Sequence, residues 1–117
     1  QDWQIDRALS STAERTRQTT RIVSEALELS PTQIEFKDEL YHASPEVFFN
    51  IVASIPNEIN TVLIVSHNDG ITQFANQLTD VRIDHMQPGS VFIVNCYCRS
   101  WTDFEHAPRE FLGYEQP

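Results

Sequence analysis

Thr61-Val62-Leu63-Ile64-Val65-Ser66-His67-Asn68-Asp69-Gly70 decides how this chain folds. Residues 62–65 form an unbroken apolar run, a piece of strand size. No polar residue alternates with them. The strand is therefore expected to be buried on both faces, as central strands of parallel sheets are. His67-Asn68-Asp69-Gly70 then reads as a sharp turn. A helix is predicted from Ile71 to about Leu78, with Ile71, Phe74, Ala75 and Leu78 facing inward. A histidine that ends such a strand is held at the crevice where open α/β sheets bind their ligands.

The same grammar recurs on both sides of this stretch. Ile5 to Ser11 reads as a short strand, and Ser11 with Glu14 has the spacing of a capping box. A helix to about Leu29 follows, with Ala13, Thr19, Ile22, Val23, Ala26 and Leu27 as its inward stripe, and Ser30-Pro31 stops it. Ile34 to Phe36 is a short strand. Ser44-Pro45-Glu46 opens a second helix with a cap residue, a proline at the first position and an acid in the first turn. Its inward stripe is Val47, Phe48, Ile51, Val52 and Ile55. Beyond Pro88-Gly89, Ser90 to Tyr97 is a strand, Arg99 to Phe104 is expected to pair back with it, and the tail from Pro108 to Pro117 is expected to lie against the body. Strands alternating with helices predict an α/β sandwich with a mainly parallel sheet, in one domain spanning residues 1–117.

Arg15 is the second residue of interest. It falls in the first turn after a strand, beside unpaired backbone N–H groups and the positive end of a helix dipole. A cation there is unfavourable by a few tenths of a kcal/mol, roughly, unless an anion is present. Either an anionic ligand explains the placement, or Glu14 or another acid neutralises it. A guanidinium offers a planar fork of donors for phosphate oxygens. An imidazole changes its proton state near neutral pH. Arg15 and His67 brought together would make a site for a phosphoryl group. Arg17 and Arg21 have a plainer reading, as partners of Glu14, Glu25 and Glu28 on a solvated helix face.

Composition narrows the partners. The formal charge is −9, from 17 acidic and 8 basic residues. That balance argues against nucleic acid or an anionic membrane as a partner, because binding phosphate backbones takes a surplus of Lys and Arg. Lys37 is the only lysine, and four of the seven arginines (Arg7, Arg15, Arg17, Arg21) lie in the first strand and helix. No stretch reaches the length of a membrane span, and no signal peptide opens the sequence. Cys96 and Cys98 are the only cysteines. So short a loop bridges poorly, and they are expected to be reduced thiols in a cytoplasmic protein. His85 and His106 lack metal-ligand spacing, and neither a metal nor another cofactor is expected. With three glycines, the chain holds no glycine-rich phosphate loop.

Ser10-Ser11-Thr12-Ala13-Glu14-Arg15-Thr16-Arg17-Gln18-Thr19 resembles the Ser-Ser-Pro-x-x-Arg-x-x-Gln-Thr signature of the histidine phosphatase (phosphoglycerate-mutase-like) superfamily. Glu39-Leu40-Tyr41-His42-Ala43, Ser66-His67-Asn68-Asp69-Gly70 and Gly89-Ser90-Val91 look like its SixA-type phosphohistidine phosphatase branch. The resemblance covers nearly the whole chain in order and spacing. Thr12 and Asp69 stand where the family commonly has proline. The resemblance implies a three-layer, phosphoglycerate-mutase-like sandwich. It implies that Arg15 grips the phosphoryl oxygens and that His67 is the second catalytic histidine. Asn68 would join the substrate contacts, and Glu39 would sit at the pocket mouth, where a carboxylate could help protonate the leaving group.

One departure bears on the chemistry. The family opens with a strand ending in Arg-His-Gly, whose histidine becomes phosphorylated. Here none of His42, His67, His85 and His106 follows an arginine. The expectation is a domain missing its first strand and helix, inactive on its own, whose exposed sheet edge invites self-association or another segment. Three functions follow from the resemblance: a phosphohistidine phosphatase acting on a phosphorylated protein, a broad phosphomonoesterase acting on small phosphate esters, or a phosphate-binding remnant without catalysis.

Overall fold

The computed structural model describes residues 4–117. The chain divides into two compact units, residues 1–42 with 58–67 and residues 43–57 with 68–117.

The first unit is a parallel sheet and one helix. β1 (Arg7–Ser11) lies in the middle, β2 (Ile34–Lys37) on one side and β3 (Val62–Val65) on the other, all three parallel. Asp6 sets the register at the entry end. Its carboxylate accepts the N–H groups of Asn60 and Thr61 at 2.9 and 3.0 Å, and its own N–H donates to the Thr61 carbonyl. The Gln33 amide reaches the Asp6 carbonyl at 3.2 Å and brings in the start of β2. Ser10 then stands level with Phe36 and Val65, and Ser11 with Lys37.

α1 (Glu14–Ala26) begins two residues later than a Ser11 cap would allow. Ser11 is still paired in the sheet, and its hydroxyl accepts the Ala13 N–H at 3.2 Å instead of capping the helix. The capping box forms further on, between Ser30 and Gln33. The expected apolar stripe is also displaced. The buried positions are Thr16, Thr20 and Ser24, while Ile22 is 70 % exposed and Thr19, Ala26 and Leu27 also face outward. The reason lies in the partner strand. Ser10 Oγ and Thr20 Oγ1 are 2.7 Å apart, so the helix meets β1 through small hydroxyls that satisfy each other.

β3 carries the second correction. All four of its residues are only half-buried, and among the described residues it pairs on one side alone, with β1. Complete burial falls to β1 instead, where Ala8 is 0 % and Leu9 1 % exposed.

The second unit holds α2 (Pro45–Ala53), α3 (Gly70–Leu78) and a hairpin of β4 (Val91–Cys96) with β5 (Arg109–Glu115). Phe48 and Phe74 stack at 4.7 Å between the helices, and Phe49 meets Phe74 edge-on at 5.1 Å. Gly70 starts α3 so close to the Ala43 carbonyl that a β-carbon would collide with it. Residues 99–104 do not pair back with β4. Trp101–Asp103 form a 3-10 turn with the Ser100 hydroxyl accepting the Thr102 N–H, and β5, expected only as a tail lying against the body, supplies the antiparallel partner. Arg109 holds this arrangement by donating to the carbonyls of Leu78, Phe104 and Glu105. Among the described residues, no helix is long and apolar enough to cross a membrane.

Candidate active site

Parallel pairing dictates where the candidate residues emerge. β1, β2 and β3 run in one direction, so the segments after Ser11, Lys37 and Val65 all leave from the carboxyl end of the sheet. The first carries Arg15, the second Glu39, Tyr41 and His42, the third His67.

The second segment is folded back by two local contacts. Asp38–Leu40 make a 3-10 turn that buries Leu40 completely. The Ser66 hydroxyl donates to the Leu40 carbonyl at 3.1 Å and ties this turn to the end of β3. Tyr41 and His42 are thereby brought against His67. The Tyr41 and His67 rings are 5.6 Å apart, the two imidazoles 5.9 Å, and Tyr41 and His42 4.4 Å, all edge-to-face. His42 adopts a left-handed backbone, φ 62°. Histidine is among the few side chains enriched there.

His67 Nε2 is buried and has no hydrogen-bond partner among the described residues. A buried ring nitrogen left without a partner is costly.

The cations divide. Arg17 is committed: its Nε donates to the Thr12 carbonyl at 2.9 Å, and its guanidinium lies 4.9 Å over the Phe36 ring. Lys37 pairs with Glu35 at 3.2 Å. Arg15 is exposed in the first turn of α1, and its guanidinium has no partner among the described residues. Glu14 does not neutralise it, since that carboxylate turns to the Gln18 amide at 3.5 Å. Glu39 is exposed on the 3-10 turn.

Asn68 belongs to the second unit, and its amide is fully engaged. Nδ2 donates to the Met86 carbonyl at 2.7 Å and lies 3.3 Å from His85 Nε2. Oδ1 accepts from the Thr72 hydroxyl, which in turn accepts the Met86 N–H at 3.0 Å. Asn68 organises the turn into α3. No group of three or more His, Cys, Asp or Glu among the described residues is placed to hold a metal ion.

Tyr41 and His42 stand in a segment that carries the family resemblance, but the sequence assigns neither of them a role. The signal was weak, because the contact that turns them toward His67 runs through Ser66 and Leu40, 26 residues apart.

The chain resembles two solved structures. It matches the protein assigned as phosphohistidine phosphatase SixA of Nakamurella multipartitia with a TM-score of 0.83 and 26 % identity, over 98 % of this chain and 72 % of that one. It matches the protein given the same assignment in Agrobacterium tumefaciens with a TM-score of 0.73 and 21 % identity, over 97 % and 68 % of the two chains, a likeness of fold. In sequence it is 28 % identical over 121 residues to an uncharacterized protein of Mycobacterium leprae, covering 97 % of this chain and 72 % of the relative. No family model matches the chain. The α/β fold with its mainly parallel sheet is that of both SixA neighbours, and the likeness to the Nakamurella protein supports a SixA-type histidine phosphatase relationship.

Proposed function

We propose that these residues form the phosphoryl-binding part of a phosphohistidine phosphatase, with a phosphorylated protein as substrate. The observation that carries this reading is the unpartnered, buried His67 Nε2 at the carboxyl end of β3. Arg15 supports it, as an uncommitted guanidinium on the segment leaving the neighbouring strand at the same end. His67 would hydrogen-bond one phosphoryl oxygen and Arg15 would clamp the others as negative charge spreads over them. Positioning and charge stabilisation are most of what phosphoryl transfer requires. Glu39, exposed on the 3-10 turn that follows β2, is the candidate for protonating the leaving group. Tyr41 and His42 are exposed, and the stretch from Glu39 to Pro45 is too short for a cap, which suits a protein substrate.

The nucleophile is not among the four histidines of this sequence. We propose that it lies on a strand outside these 117 residues and that the unpaired edge of β3 receives that strand. The phosphoryl group would pass to that imidazole and then to water.

Inorganic phosphate is the probe that tests the site on the chain itself. The imidazole resonances of His67 should move and saturate as phosphate is added. Arg15→Ala should weaken that binding roughly 10- to 100-fold, the loss expected for a hydrogen bond to a charged group. A His67 ring indifferent to phosphate would remove the proposal. In the protein carrying the additional strand, a phosphohistidine peptide should be turned over in preference to sugar phosphates. The opposite preference would make it a small-molecule phosphomonoesterase.

A further inference from the structure

β4 ends at Cys96, and Cys98 follows one residue later. Their sulfur atoms lie 2.8 Å apart, and both side chains are partly exposed. Cys96 Sγ donates to Cys98 Sγ, a contact that two cysteines at opposite ends of a tripeptide need not make. The hairpin brings them together. Cys96 pairs with Arg109 in the sheet, and the Tyr97 N–H donates to the Pro108 carbonyl at 2.9 Å. With the backbone pinned on both sides of Cys96, Cys98 is turned back over it. Tyr97 points elsewhere, its hydroxyl bonded to Glu110 at 2.5 Å.

We propose that Cys96 and Cys98 form a reversible dithiol–disulfide pair that reacts with low-molecular-weight disulfides. This inference is independent of the phosphoryl chemistry. The exchange runs in two steps. The Cys98 thiolate attacks one sulfur of the small disulfide, forms a mixed disulfide and expels the first small thiolate. The Cys96 sulfur then attacks the Cys98 sulfur, forms the internal disulfide and expels the second thiolate. The two protein thiols lose two electrons to the small disulfide, and their two protons end on the two small thiols.

The order of attack follows from the surroundings. Burial, with Cys98 alongside, pushes the Cys96 thiol up to about 12, against which the Arg109 guanidinium acts only weakly. Cys96 therefore stays protonated and waits as the resolving partner, while Cys98 is the thiol that opens the reaction. The ring closed through Tyr97 is small, so the disulfide constrains little of the unfolded chain and is readily reduced. That describes a switchable pair rather than a staple.

Reduced protein incubated with oxidised glutathione provides the test. Both thiols should disappear together, the intact mass should fall by two hydrogen atoms, and dithiothreitol should restore both. Cys96→Ser should instead stop at one stable glutathione adduct on Cys98, and Cys98→Ser should react far more slowly. Wild-type protein that carries one or two persistent adducts, links chains to one another, or keeps both thiols free would overturn the proposal. Each of these results is read by mass, so a variant that folds poorly does not obscure the wild-type outcome.

Discussion

β1 and β3 lie side by side in one parallel sheet, yet their sequences and their surroundings are opposed. β3 is Val-Leu-Ile-Val and only half-buried, whereas β1 is Arg-Ala-Leu-Ser-Ser and nearly all inaccessible. Local hydrophobicity would rank them the other way. What separates them is the count of neighbours. β1 has a strand on each side and α1 across one face, while among the described residues β3 has a paired strand on one side only. An apolar strand left at an edge exposes both greasy side chains and unpaired backbone groups, a combination that invites another strand. A polar strand can occupy the centre when its hydroxyls are matched by those of the covering helix.

The largest effect that separates the two strands should come from truncating their leucines. Leu9→Ala removes a side chain that is 1 % exposed and leaves a cavity, so a loss of about 3 kcal/mol is expected in urea unfolding. Leu63→Ala removes a half-buried one beside open solvent and should cost about 1 kcal/mol. Equal losses would mean that the outer side of β3 is covered in solution.

The free edge itself gives a smaller effect. If β3 recruits a strand from another copy, sedimentation should reveal concentration-dependent association of the chain. Ile64→Lys should then weaken it about tenfold or more, since a lysine on an edge strand opposes pairing. Association that is unchanged by this substitution would place the contact elsewhere.

The same contrast explains what the sequence made legible. β1, β2, α2, β3 and α3 stand close to where strand-sized runs, cap residues and prolines put them, because those signals are local. The parallel sheet followed from alternation, and the emergence of Arg15, Glu39 and His67 from one end of it followed from parallel direction. Three features were not local. The buried face of α1 carries Thr16, Thr20 and Ser24, which a search for apolar periodicity skips. β5 is recognisable only once β4 is there to pair with it. Tyr41 and His42 reach His67 through a hydroxyl-to-carbonyl bond across the unit and through a left-handed backbone at His42. None of these contacts leaves a period or a motif in the chain.

The smallest effect probes why a Ser-Ser strand accepts the central position. The Ser10 hydroxyl donates to the Ser11 carbonyl at 2.9 Å, and it has one proton to give. The 2.7 Å contact with Thr20 is therefore a bond in which Thr20 donates and Ser10 accepts. Thr20→Val keeps the shape and adds apolar surface while deleting that donor. A strand held by general burial would gain from the change. A strand held by matched hydroxyls should lose about 1 kcal/mol, the usual net worth of one buried hydrogen bond. Unfolding midpoints at unchanged denaturant sensitivity measure the difference, and a stabilised Thr20→Val protein would show that β1 is central for its position in the sheet alone, with its serines merely tolerated.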